Sequence, residues 1–129
     1  MQTSVKFKIL AWDEEPFDEP EDGPKMTRAQ IRKSFAGDLV ATGNLMYVMT
    51  YLEGGGAVFS GFERVAGSLG GRSGSFVLRH TGAYDGQQAR ANCEVVPGSG
   101  TDELAGLSGS GEFSAGHAEE HDMAFEYEL

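Results

Sequence analysis

Residues 57–84 read AVFSGFERVAGSLGGRSGSFVLRHTGAY, and the way this stretch turns back on itself decides the fold. Two runs rich in aromatic, β-branched and small residues flank Gly70-Gly71. That dipeptide can supply both positive φ angles of a two-residue hairpin turn. With such a turn Leu69 faces Arg72, and the pairs continue as Gly67 with Gly74, Val65 with Phe76, Glu63 with Leu78 and Gly61 with His80. Side chains alternate along a strand, so these pairs share one face. Phe59, Val65, Leu69, Phe76 and Leu78 make it the core face. Glu63 and His80 then lie among apolar groups on neighbouring strands. They are diagonal to one another, about 7–8 Å apart at the backbone, within reach of long polar side chains. The opposite face carries Phe62, Arg64, Ser75, Val77, Arg79 and Thr81, which suits solvent or a subunit contact.

Working outward, Asp85-Gly86 is another preferred hairpin dipeptide. As a two-residue loop it sets Leu78 opposite Cys93, Phe76 opposite Val95 and His80 opposite Ala91, so Cys93 points inward near Glu63. On the other side, a three-residue loop at Gly54-Gly55-Gly56 sets Tyr47 opposite Glu63 and Tyr51 opposite Phe59. A two-residue loop would instead turn Met46, Val48 and Leu52 inward, and both registers stay open. The first register gives a cavity lined by Tyr47, Met49, Tyr51, Phe59, Glu63, Phe76, Leu78, His80 and Cys93. Ala89 and Ala91 leave room beside them.

The rest of the chain repeats the period of two. Val5, Phe7, Ile9 and Ala11 alternate with Lys6 and Lys8, which predicts a first strand from Val5 to Trp12. Residues 13–23 carry seven carboxylates and two prolines, which predicts an acidic loop acting as a solvated lid or rim. Further strands are expected over 25–36, 39–52, 57–69, 72–84, 87–96, 104–114 and 122–128. Thr27 to Phe35 also fits a helix, but the alternation of Ala29, Ile31, Lys33 and Phe35 favours a strand. Eight strands joined by short turns form an antiparallel meander, and closing it into a small barrel hides both edges. Glycines inside the strands fit a sharply curved sheet. An open two-sheet sandwich is the alternative.

Length and charge bound the rest. The 129 residues suit one domain, taken as 1–129. Ten basic against 20 acidic side chains give a net charge of −10, which argues against nucleic-acid or anionic-membrane partners. A single cysteine precludes an internal disulfide and suits a reducing cytoplasm. The stretch MQTSVKFKIL lacks the apolar core of a signal peptide.

The chemistry-bearing residues are few. An ionised carboxylate is costly to bury, so Glu63 must be protonated, hydrogen-bonded or paired, with His80 and Tyr47 as partners. A carboxylate beside a histidine suits proton transfer near neutral pH. The same cluster can equally satisfy itself and fix strand register. Cys93 in apolar surroundings is core filler, because burial raises a thiol's pKa. His117, Glu119, Glu120, His121 and Asp122 include metal-ligand types, yet without a closed set of spacings they read as a solvated turn. No metal or cofactor motif is present: the Gly-rich segments at 70–74 and 98–100 neither end in Gly-Lys-Ser/Thr nor open a helix.

Several runs occur together and in order: Trp12-Asp13-Glu14-Glu15-Pro16, Gly61-Phe62-Glu63-Arg64-Val65, Gly70 to Leu78, His80-Thr81-Gly82, Val96 to Gly100 and Leu104-Ala105-Gly106-Leu107. On these the chain closely resembles the bacterial family known as domain of unknown function 3224. The resemblance implies a compact eight-stranded barrel similar to plant allene oxide cyclase and dirigent proteins, which use no metal or organic cofactor. No active-site motif of either is reproduced, so only the idea of an apolar lumen carries over. Three functions follow as expectations. The first is a barrel binding a small apolar metabolite through Tyr51, Met49, Phe59, Phe76, Leu78 and Cys93. The second is a cofactor-independent cyclase or isomerase using Glu63, His80 and Tyr47. The third is a homo-oligomeric interaction protein with Phe62, Arg64 and Val77 at a dimer contact.

Overall fold

A computed structural model describes every residue from Met1 to Leu129. Eight strands run in chain order: β1 (Gln2–Asp18), β2 (Met26–Gly37), β3 (Leu39–Tyr51), β4 (Ala57–Leu69), β5 (Arg72–Tyr84), β6 (Ala89–Val95), β7 (Ser108–Ala115) and β8 (Glu120–Glu128). Each pairs antiparallel with its chain neighbour, and β8 returns to β1 to close the barrel. Closure leaves no free edge, which excludes the open sandwich. One 3-10 turn, Asp102–Leu104, interrupts the β6–β7 connection, so β7 begins four residues later than the apolar pattern from Leu104 predicts. Leu104 packs into the core from that turn rather than from a strand.

The hairpin that decides the fold has the expected register, from Leu69 opposite Arg72 to Gly61 opposite His80. Gly70 and Gly71 take φ of +58° and +83°, the pair of positive angles that a two-residue turn requires. The other two turns are longer than expected, each by two residues. At β5–β6 the side chain of Asp85 accepts from the backbone N–H of both Gln87 and Gln88 at 2.8 Å, stabilising a four-residue loop. His80 therefore faces Cys93 and Leu78 faces Val95, in place of Ala91 and Cys93. At β3–β4 the Leu52 N–H donates to the Gly56 carbonyl at 2.8 Å and closes a five-residue loop. Tyr47 consequently faces Gly61 and Leu45 faces Glu63, while Tyr51 faces Ala57. A slip of two preserves which face a residue occupies. Tyr47, Met49 and Tyr51 point inward, and Met46, Val48 and Leu52 are exposed.

β1 departs most from expectation. Its strand runs through Asp13–Asp18, and the acidic loop shrinks to residues 19–25. The carboxylates there are tolerated because each alternate residue faces water, and Pro16 sits near the strand's end, where few ladder bonds are lost. Pairing jumps from Ile9–Lys33 to Ala11–Arg32, leaving Leu10 as a bulge. The bulge exchanges the two faces. Phe7 and Ile9 face inward before it; Trp12 and Glu14, paired with the inward Ile31 and Ala29, face inward after it, and Ala11 does not.

The two ends of the barrel differ. At one end Leu104 and Leu107 plug the lumen over Phe76, Phe125, Val65 and Leu69, all of them buried. Thr101 ties that plug to β5 through Ser75 by backbone and side-chain hydrogen bonds. The other end is ringed by the loops β1–β2, β3–β4, β5–β6 and β7–β8. No helix is long and apolar enough to cross a membrane.

Candidate functional site

Five polar side chains are buried on the inner face: Thr27, Lys33, Glu63, His80 and His121. Three of them, with Tyr47 and Cys93, form one network in the middle of the barrel. Glu63 Oε1 lies 2.8 Å from His80 Nε2 and 3.6 Å from Lys33 Nζ. His80 Nδ1 is 3.2 Å from the Tyr47 hydroxyl and 3.3 Å from Cys93 Sγ. Two glycines make this crowding possible. Gly61 stands between Tyr47 and His80 across three strands, so the two rings meet edge to face with centroids 5.5 Å apart. At Gly43 a Cβ would come within 2.1 Å of Glu63 Oε2, so the glycine leaves the notch that this oxygen fills. That oxygen is buried without a hydrogen-bond partner.

The charges settle the protonation pattern. Burial alone would raise the Glu63 pKa, but the Lys33 ammonium and the His80 hydrogen bond outweigh it and hold the carboxyl below its ordinary value. Burial lowers the His80 pKa; the Glu63 hydrogen bond pulls it back up, the Lys33 charge pushes it down, and the net direction is down. Burial raises Tyr47 well above its usual value, with Glu63 adding to the rise, and burial pushes the Cys93 thiol up to about 12 against the opposing Lys33 charge. Near neutral pH the cluster is thus an ionised Glu63, a neutral His80 and protonated Tyr47 and Cys93. A neutral imidazole that donates from Nε2 to the carboxylate has Nδ1 as an acceptor for the tyrosine O–H and the thiol S–H. Cys93 is a buried donor and a poor nucleophile.

Above this network lies a cavity of about 490 Å³, lined by 17 residues of which 13 are hydrophobic. Tyr47, Met49, Tyr51 and Phe59 line it, joined by Ile9, Trp12, Ile31, Leu45 and Phe113. Phe76, Leu78 and Cys93 do not: they belong to the filled half of the barrel and to the network below. Glu63 and His80 are fully buried and also absent from the wall. Of the expected polar set only Tyr47 meets both the cavity and the network. Lys33 does so as well, although its place in the sequence carries no chemical motif. Its Nζ sits 4.4 Å from the Phe7 ring centroid and 5.0 Å from that of Phe113, held by cation–π attraction. The signal was there, since Lys33 alternates with Ala29, Ile31 and Phe35 on an inward face.

His121 corrects another expectation. It is a buried residue of β8 that lines the cavity and packs on Phe7 with centroids 5.2 Å apart, rather than part of a solvated turn. Its alternation with Met123, Phe125 and Tyr127 placed it inward. His117 also borders the cavity, at the mouth. Glu14, read from sequence as part of a solvated run, is the hub of that rim. It accepts from Trp12 Nε1 at 2.9 Å, from Thr27 Oγ1 at 2.7 Å and from the Tyr51 hydroxyl. A second depression, of about 480 Å³, lies outside across β5–β8 and the start of β1 with a mostly polar lining, and of the network's residues only Cys93 borders it. No three His, Cys, Asp or Glu side chains converge as metal ligands.

Comparison with known proteins fits this architecture. A family profile described as protein of unknown function, DUF3224, matches residues 3–127. The chain belongs to the DUF3224 family. A DUF3224 protein of unknown function from Shewanella oneidensis MR-1, known from its crystal structure, is 32% identical; the match covers 100% of this chain and 99% of that one, with a TM-score of 0.77. Comparison with curated proteins gave no match.

Proposed function

We propose that this DUF3224 barrel binds a small, largely apolar molecule in its lumen. The observation that carries this reading is the open half of the barrel. An interior that could be filled by side chains, as its other half is, keeps about 490 Å³ of space behind a mouth bordered by Trp12 and Tyr51. That volume lies within the range of small-molecule sites, and an apolar wall with few convergent polar groups is their usual form. The allene oxide cyclase and dirigent resemblance belongs to the same reading, as barrels whose apolar lumen holds a small molecule. A cytoplasmic location is proposed with it, supported by the unpaired thiol of Cys93. A cyclase or isomerase using Glu63 as a base has weaker support, because Glu63 and His80 lie beneath the cavity floor. Only the Tyr47 hydroxyl and the Lys33 side chain would link them to a bound molecule.

Thermal denaturation with pentylbenzene as probe tests the reading. At about ten times its Kd the probe should raise Tm by roughly 4–6 °C. Ala89→Phe, which fills the mouth, should abolish the shift. The proposal fails if neither pentylbenzene nor a panel of uncharged aromatic compounds stabilises the unaltered protein.

A further inference from the structure

Resting on that reading, the chemistry of the cavity floor narrows the ligand. The Lys33 ammonium reaches the floor from β2 and is 3% exposed. Its one anionic neighbour, Glu63 Oε1, stands 3.6 Å away, beyond a good hydrogen bond. Its other close contacts are aromatic faces, which attract the charge but accept N–H groups poorly. A buried ammonium carries three donors, and leaving them unmade is costly. The floor therefore offers Lys33 no protein acceptor within hydrogen-bond distance, and a ligand oxygen can take that place in exchange for water.

Two observations decide which acceptor. The interior already balances one cation against one carboxylate, so a second carboxylate would be buried with only a shared counter-ion, at a steep desolvation cost. The mouth also repels anions: its four loops hold Glu19, Glu21, Asp22, Glu53, Asp85 and Glu119 against the single lysine Lys25. We propose that the lumen selects uncharged carbonyl compounds, an apolar body bearing a ketone, aldehyde or ester oxygen that accepts an N–H from Lys33. Binding is non-covalent.

A matched set of probes with one carbon skeleton size tests this by isothermal titration calorimetry at pH 8: valerophenone, 5-phenylpentanoate and pentylbenzene. The unaltered protein should bind valerophenone at least about tenfold more tightly than the carboxylate. Lys33→Met alone would strand Glu63, so the comparison uses the double variant K33M/E63Q, which removes both charges together and keeps an acceptor for His80. In that variant valerophenone should weaken roughly tenfold, the scale of one charge-assisted hydrogen bond, while pentylbenzene affinity does not fall. Equal or tighter binding of 5-phenylpentanoate to the unaltered protein overturns the selection for uncharged ligands. An undiminished ketone affinity in the double variant overturns the donor role of Lys33, with the lumen still a binding site. If none of the three binds the unaltered protein this inference falls, and the binding reading falls with it when the panel of uncharged aromatic compounds also fails to stabilise the protein.

Discussion

Glu63 shows how one buried residue constrains its neighbours. Its carboxylate would cost several kcal/mol to bury alone, and the cost is offset only while Lys33 and His80 stay in place. The same charges make His80 a reporter. Its pKa lies below the ordinary 6.5, through burial first and the Lys33 charge against the pull of Glu63, with Tyr47 and Cys93 as its uncharged neighbours. As pH falls below 6.5 the unfolded chain takes up a proton that the folded imidazole does not, so the unfolded state is favoured. His121 is shifted the same way. Glu63, shifted below 4.5, adds a further loss once pH falls under that value towards its folded pKa. The urea midpoint should therefore drop from pH 7.5 to pH 5.5, and His80 should show neutral imidazole nitrogen shifts at pH 7. A midpoint that rises on acidification, or an imidazolium at pH 7, contradicts the assignment. At this scale the inward Glu63, His80 and Cys93 were legible from alternation alone. The partnership with Lys33 was not, because it joins β2 to β4 across β3, and no single hairpin register shows it.

Among the elements, β1 was the least legible. Strand parity read through the hairpins survived two loops that each proved two residues longer, since an even slip leaves every side chain on its face. An odd insertion does not, and the bulge at Leu10 has no glycine or proline to announce it. Its consequence is functional, because it turns Trp12 and Glu14 to the inner side, where Glu14 gathers Trp12, Thr27 and Tyr51 at the rim. Those bonds and the Lys25 charge hold Glu14 below its ordinary pKa although burial opposes them. Burial and the bond to Glu14 push Tyr51 up to about 12. Glu14→Ala should then cost about 1–2 kcal/mol of stability in urea and lower the fluorescence anisotropy of the single tryptophan, as its indole loses its anchor. An unchanged anisotropy would mean that Glu14 does not organise the rim.

For the whole molecule, closure was readable from consecutive hairpins and the need to hide edges, and the barrel closes as β1 to β8 in chain order. The division of its interior was not readable. The plug of Leu104 and Leu107 comes from a connection that resembled a strand, and it fills one half while the other stays open. That asymmetry underlies the functional claim, and methionine methyl NMR tests it most directly. Met49 lines the cavity, whereas Met46, three residues away on the same strand, is exposed on the outer surface. Titrating valerophenone into methyl-labelled protein should move the Met49 resonance saturably and leave Met46 in place. Movement of Met46 without Met49, or a stationary Met49 while the ketone demonstrably binds, would contradict a ligand site inside the barrel.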